Sequence, residues 1–137
     1  MGFDVKLIET ITIAAAAIIN CDNQMLLVRK RGTKAFMQPG GKIDTGETAV
    51  EALVRELKEE LGFQVDGSQL NFVGKFQEVA ANEPNSVVIA DVFKIQHDGI
   101  FEPQAEIEEI CWYPSDLSDA AILAPLTKNK IIPASGV

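Results

Sequence analysis

The 137-residue chain carries 20 acidic against 12 basic side chains, a formal charge of −8, and is 47% hydrophobic. That length closes one hydrophobic core and is short for two, so one domain over residues 1–137 is expected. The negative field repels nucleic-acid backbones and anionic membrane surfaces, whose capture takes clustered Lys and Arg, which argues against a polymeric DNA or RNA partner and against membrane attachment.

At the N-terminus, Asp4 and Glu9 stand where a secretory signal would carry cationic residues, and no small-residue cleavage site follows, so a cytoplasmic location is expected. The longest apolar run, Ile11 to Ile19, is broken by Thr12 and has the length of a strand, far short of a membrane span. Thr10 to Asn20 therefore predicts a largely buried strand, Cys21-Asp22-Asn23-Gln24 a turn, and Met25 to Lys30 the returning strand of a hairpin. Gly32 to Ala35 is loop, and Pro39-Gly40-Gly41 forces a tight passage, since Pro removes a donor and Gly admits backbone angles barred to other residues.

Thr48-Ala49-Val50-Glu51 fits a capping box, and Gly62 lies where a helix ends, which predicts a helix from Thr48 to about Leu61. Leu70 to Ala80, Ser86 to Ile95 and Ile107 to Tyr113 are predicted strands, with connections at Ala81-Asn82-Glu83-Pro84-Asn85 and His97-Asp98-Gly99. Asp116 to Leu123 is expected as a short second helix, and Pro133 to Val137 as a loose tail. Strands flanking one helix and preceding another predict an α/β (α+β) domain in which helices cover a mixed sheet. Cys21 and Cys111 lack metal or disulfide spacing and are expected to be reduced structural thiols.

At about 100° per residue the predicted helix has an apolar face of Val50, Leu53, Leu57 and Leu61 and a solvated one with Glu51 and Lys58. Glu56, Glu59 and Glu60 share a third sector with the small residues Ala49 and Ala52. Carboxylates one turn apart repel each other, a conflict that a hard divalent cation resolves. The competing reading is a solvated surface with Glu51, Arg55 and Glu59 as ion pairs.

The wider frame decides between them. Gly41, five residues, Glu47, seven residues, then Arg55-Glu56-Leu57-Lys58-Glu59-Glu60-Leu61-Gly62-Phe63 resembles the Nudix box at every position. The similarity extends to the preceding hairpin, to Pro39-Gly40-Gly41 and to the late strand ending at Trp112. Gly41 and Gly46 also have P-loop spacing, but Glu47 occupies the position where a P-loop needs Lys.

The resemblance implies a Nudix-type α/β/α sandwich that hydrolyses a nucleoside diphosphate linked to a further group, with Mg²⁺ or Mn²⁺. It implies Glu56, Glu59 and Glu60 as metal ligands with the Gly40 carbonyl, either Glu56 or Glu59 as base toward the attacking water, and Glu47 and Arg55 as their supports. Glu106 is either the additional late carboxylate or surface charge. Among the remaining candidates, Arg29, Lys30 and Arg31 form a basic cluster that is either edge charge or a substrate contact, and Lys42 poses the same choice. Phe36 and Trp112 are either base-stacking or core aromatics, and His97 is expected at the surface.

Chain length favours a MutT-like (d)NTP pyrophosphohydrolase over a hydrolase of ADP-ribose or another nucleotide sugar. A non-catalytic nucleotide-binding regulatory module is the alternative of another class, which the intact glutamate set disfavours. The expected partner is a small nucleotide-like diphosphate, and the protein is a monomer or homodimer.

Overall fold

Two strands run parallel along their whole length at the centre of the sheet: β1 (Glu9–Ile19) and β6 (Ser86–Gln96), with Glu9 opposite Ser86 and Ile19 opposite Gln96. The computed structural model describes residues 8–81 and 83–137, so Asp4 and Asn82 lie outside the described residues. Outside β6 lies the antiparallel edge strand β5 (Asn71–Val79). On the other side come β2 (Met25–Lys30) and β7 (Ile107–Tyr113), also antiparallel, giving the order β5-β6-β1-β2-β7.

The predicted hairpin forms at its turn, where the Asn20 amide donates to the Gln24 carbonyl at 3.0 Å, but it opens almost at once. Only Ile19 and Met25 stand opposite each other. Residues 37–42 fill the resulting fork. Met37 and Val28 exchange backbone hydrogen bonds at 2.7 and 2.9 Å, and the Pro39 carbonyl accepts from the Ala16 amide at 2.9 Å. The short strand β4 (Gly40–Lys42) then lies antiparallel to Ile13, Ala14 and Ala15 of β1. The glycine turn is thereby held between two strands of the sheet.

Because β1 is covered on both faces, its buried run shows no polar alternation, and its side chains divide by parity. Ala14, Ala16 and Ile18 pack with Leu53, Leu57 and Leu61 of α1 (Ala49–Leu61); Ala17 and Ile19 pack with Leu126 and Ile131 on the far side. The predicted capping box is present, with the Glu51 amide donating to Thr48 Oγ1 at 3.1 Å and the Thr48 amide donating to Glu51 Oε1 at 2.9 Å. Gly62 ends the helix at φ 64°, a left-handed angle that costs glycine little. Each fully buried leucine of α1 adds about 1.5–3 kcal/mol of burial.

Asp116 to Leu123 is not the second helix. The Asp116 carboxylate turns back to accept the Trp112 amide at 3.0 Å, and Ile122 and Leu123 form β8 (Ile122–Leu123), parallel to β3 (Ala35–Phe36). A strand partner and a side-chain cap outcompete weak local helix preference. The second helical cover comes later, as a π-helical segment Thr127–Ile131 continuing into α2 (Ile132–Ser135). The tail expected to be loose at Pro133 to Val137 is therefore largely structured. Fully buried Ile131 anchors it, and Ser135 is buried and donates to the Ile131 carbonyl at 2.6 Å.

Both cysteines are free; Cys21 is exposed, and burial pushes the Cys111 thiol up to about 11. No helix among the described residues is long and apolar enough to cross a membrane.

Candidate active site

Two glycines let the backbone of β4 slide between β1 and the last turns of α1. Gly40 has φ 147°, and a Cβ there would collide with the Ala14 carbonyl oxygen. A Cβ on Gly41 would meet the Glu56 carboxyl carbon at 2.5 Å. A side chain at Gly40 would thus force β4 off β1, and one at Gly41 would displace the Glu56 carboxylate.

Across this gap the Gly40 amide donates to Glu60 Oε1 at 2.8 Å. Glu60 is only 2% exposed, and among the described residues its buried Oε2 has no hydrogen-bond partner. Burial pushes the Glu60 carboxyl up to about 8, with Glu56 and Glu106 adding to the rise and the Gly40 amide and Lys30 opposing it. An isolated buried carboxylate is costly, so this group is tolerated as an acid or awaits a cation.

Glu56 lies on the same side, its side chain 15% exposed, and Oε1 accepts from Arg55 Nη1 at 2.9 Å. Burial raises its pKa while the Arg55 hydrogen bond and charge resist. Arg55 also grips Glu47 through both carboxylate oxygens, Nε to Oε2 at 2.9 Å and Nη2 to Oε1 at 2.8 Å, and reaches the Lys42 carbonyl at 3.2 Å. The Arg55 hydrogen bonds hold Glu47 down at about 2. The guanidinium thus ties the loop before the helix to a helix carboxylate, and of the ladder Glu51–Arg55–Glu59 only its pairing with Glu59 is present. Glu51 is occupied by the cap, and Glu59 is 53% exposed and 3.7 Å from Arg55.

Glu56 and Glu60 therefore converge on the glycine turn, and Glu59 stands at its solvent side. Among the described residues no three His, Cys, Asp or Glu side chains come together as a closed metal cage. An open arrangement of one or two carboxylates is how Mg²⁺ is ordinarily held when substrate phosphates and water complete its shell.

A cleft opens from the glycine turn over the β1 face that carries Ile13 and Ala15, and is closed on its far side by Leu126 and Thr127. Of the basic cluster only Lys30 lines it; its Nζ lies 3.3 Å from Glu106. Arg29 pairs with Glu109 at 2.9 Å and Arg31 with Glu108 at 3.3 Å, which ties both to β7 and its approach. Glu106, 60% exposed, reaches the carboxylate pair only by way of its field on Glu60. Lys42 lines the cleft mouth, 3.7 Å from Glu83.

The stacking candidates are core residues. Phe36 is 8% exposed among the second-face cluster, and Trp112 packs on the first-face cluster beside Phe101. Among the described residues no aromatic side chain lines the cleft. His97, expected at the surface, is half-buried with its ring 4.5 Å from that of Phe63. Sequence reasoning missed Gln38 and Thr127, a buried polar pair lining the cleft; the one local signal was a polar residue directly before Pro-Gly-Gly.

A family model of the NUDIX domain matches residues 10–134. The chain is 32% identical over 128 residues to the 8-oxo-dGTP diphosphatase of Haemophilus influenzae, covering 90% of each protein. A local stretch of 53 residues, 36% of this chain, is 43% identical to the ADP-ribose pyrophosphatase of Methanocaldococcus jannaschii, and there the match spans only 31% of the relative's length. Among solved structures, a MutT NUDIX hydrolase from Burkholderia pseudomallei superposes with a TM-score of 0.72 at 22% identity, over 93% of this chain and 97% of that one, a likeness of fold. With the box glutamates gathered at the glycine turn and the family match running through nearly the whole chain, the protein belongs to the Nudix family.

Proposed function

We propose that this chain is a divalent-metal-dependent pyrophosphohydrolase that cleaves the anhydride of a nucleoside triphosphate, ribo or deoxy. The observation that carries the reading is Glu60: a buried carboxylate with one oxygen held by the Gly40 amide and the other without a partner, beside Glu56 and facing a glycine turn that lines an open cleft. Similarity to the Haemophilus diphosphatase across 90% of both chains supports the triphosphate substrate class.

The residues fit Mg²⁺ or Mn²⁺. Their donors are hard oxygens, and the buried Glu60 oxygen has no partner among the described residues, so it is open to a cation. Glu60 and Glu56 would hold the ion, with Glu59 and the Gly40 carbonyl as further donors and Glu106 as an outer carboxylate. When bound, the ion neutralises phosphoryl oxygens and makes a water a better nucleophile. Arg55, clamped by Glu47, keeps Glu56 in one orientation; loss of such a support typically costs 10–100-fold. Lys30 lines the cleft, and its ammonium, 3.3 Å from Glu106, would be a cation for a phosphate bound there. Glu56 or Glu59 accepts the proton of the attacking water, and exposed Glu59 can pass it on to solvent.

The test is a panel of nucleoside triphosphates, ADP-ribose and nucleotide sugars with Mg²⁺, in ¹⁸O-water, with products resolved by mass. Nucleoside monophosphate and pyrophosphate from a triphosphate are expected, and the label names the phosphorus attacked. Inactivity across the panel would overturn the proposal. The local likeness to the Methanocaldococcus enzyme favours ADP-ribose as a second reading, which would show as AMP and ribose 5-phosphate.

A further inference from the structure

The cleft wall is apolar along Ile13, Ala15 and Leu126, carries charge at Lys30, Lys42 and Glu83, and holds one buried polar pair. Gln38, 6% exposed, and Thr127, fully buried, line it together, and Thr127 Oγ1 donates to Gln38 Oε1 at 2.8 Å. The other end of the amide, Nε2, lies 3.2 Å from Met25 Sδ. A thioether accepts hydrogen bonds weakly and donates none, so this contact orients the amide with nitrogen toward Met25 and oxygen toward Thr127.

A primary amide nitrogen carries two N–H donors, and among the described residues Gln38 Nε2 has only this weak acceptor. Leucine would fill much the same volume without a polar group to satisfy. The amide also precedes Gly40, whose N–H holds Glu60, by two residues, about 7 Å of extended chain. A nucleotide whose phosphates lay at the glycine turn would have its base within reach of Gln38.

We propose that Gln38, oriented by Thr127, selects the base: its amide nitrogen donates to a ring carbonyl, so the cleft takes nucleotides that present a carbonyl oxygen rather than an exocyclic amine at that edge. The proposal rests on the nucleotide reading above. A donor facing an exocyclic amine would be left unpaired, and sites built to hydrogen-bond one group reject its mismatch strongly. Among the described residues no aromatic side chain lines the cleft, so the hydrogen bond at Gln38 carries the choice of base.

Hypoxanthine and adenine nucleotides make the comparison, because their rings differ at the 6-position in carbonyl against amine. We expect kcat/KM for dITP to exceed that for dATP by roughly tenfold or more in the wild type, and IMP to bind more tightly than AMP in calorimetry. Gln38→Leu should bring both ratios close to one. Thr127→Val, which frees the amide to turn, should reduce them in part and supplies the test if Gln38→Leu fails to fold.

An unchanged ratio in the folded variants, or a wild type that treats the two bases alike, overturns the assignment while leaving hydrolysis standing. If no nucleotide is turned over but IMP still binds more tightly than AMP and Gln38→Leu abolishes the difference, the catalytic proposal falls and the base-reading one stands. Loss of both turnover and nucleotide binding overturns both.

Discussion

Glu60 Oε1 accepts the amide hydrogen of Gly40 at 2.8 Å across twenty residues of chain, joining the last turn of α1 to the glycine turn in the fork of the sheet. This contact helps hold a carboxylate that is 2% exposed in a protein of net charge −8: one oxygen is paired, and the other has no hydrogen-bond partner among the described residues.

Glu60→Gln should lower turnover by a factor on the order of 10³ or more while raising the stability of the metal-free protein above pH 8. The folded carboxyl is pushed up to about 8, above its ordinary value of 4.5, so the folded state holds the proton more tightly than the unfolded chain. The wild type therefore loses stability as pH rises from 4.5 through 8, and Gln removes that loss, up to about 5 kcal/mol. Thermal melts from pH 5 to 9 in chelator check it; a variant less stable than wild type at pH 9 contradicts it.

The Arg55–Glu47 clamp makes the opposite prediction at low pH. Glu47 is held down at about 2 against an ordinary 4.5, so its contribution is fully present above about 4.5 and fades as pH falls toward 2. Denaturation curves should show wild type losing stability relative to Glu47→Gln across that window. Arg55→Ala should also cost roughly 10–100-fold in kcat, because Glu56 loses its orienting partner.

Gly41→Ala should weaken Mg²⁺ binding at a stability cost of about 1–3 kcal/mol, since the new methyl displaces only the flexible Glu56 carboxylate. Gly40→Ala meets the backbone of β1 at a strained φ and should compromise folding itself. Metal titration followed by thermal melting separates the two; equal behaviour would count against the packing described.

Phe36→Ala should destabilise by about 3–5 kcal/mol, as a core truncation, with KM for the nucleotide little changed in the folded fraction. A KM rising tenfold at unchanged stability would return Phe36 to the substrate site.

Much of this protein was legible in its sequence because the signals are local. The capping box at Thr48 and Glu51, the terminating Gly62 and the apolar face of Leu53, Leu57 and Leu61 each depend on neighbours within a turn or two. The box spacing added the family and with it the glutamates. Local preference failed at Asp116 to Leu123, where a side-chain cap and a strand partner from residues 35–36 decided the structure.

Tertiary structure alone decided which charges count. Glu59 and Glu60 are adjacent in sequence, yet one is 53% exposed and the other 2%, because only Glu60 faces Gly40 across the gap. Arg29, Lys30 and Arg31 form one cluster on paper, but the carboxylates of residues 106–109 claim each in turn and leave only Lys30 along the cleft. Gln38 and Thr127 meet across 89 positions. Residue type and spacing determine which groups the chain owns, whereas burial and long-range pairing determine which of them remain available to a ligand, and those depend on segments that only folding brings together.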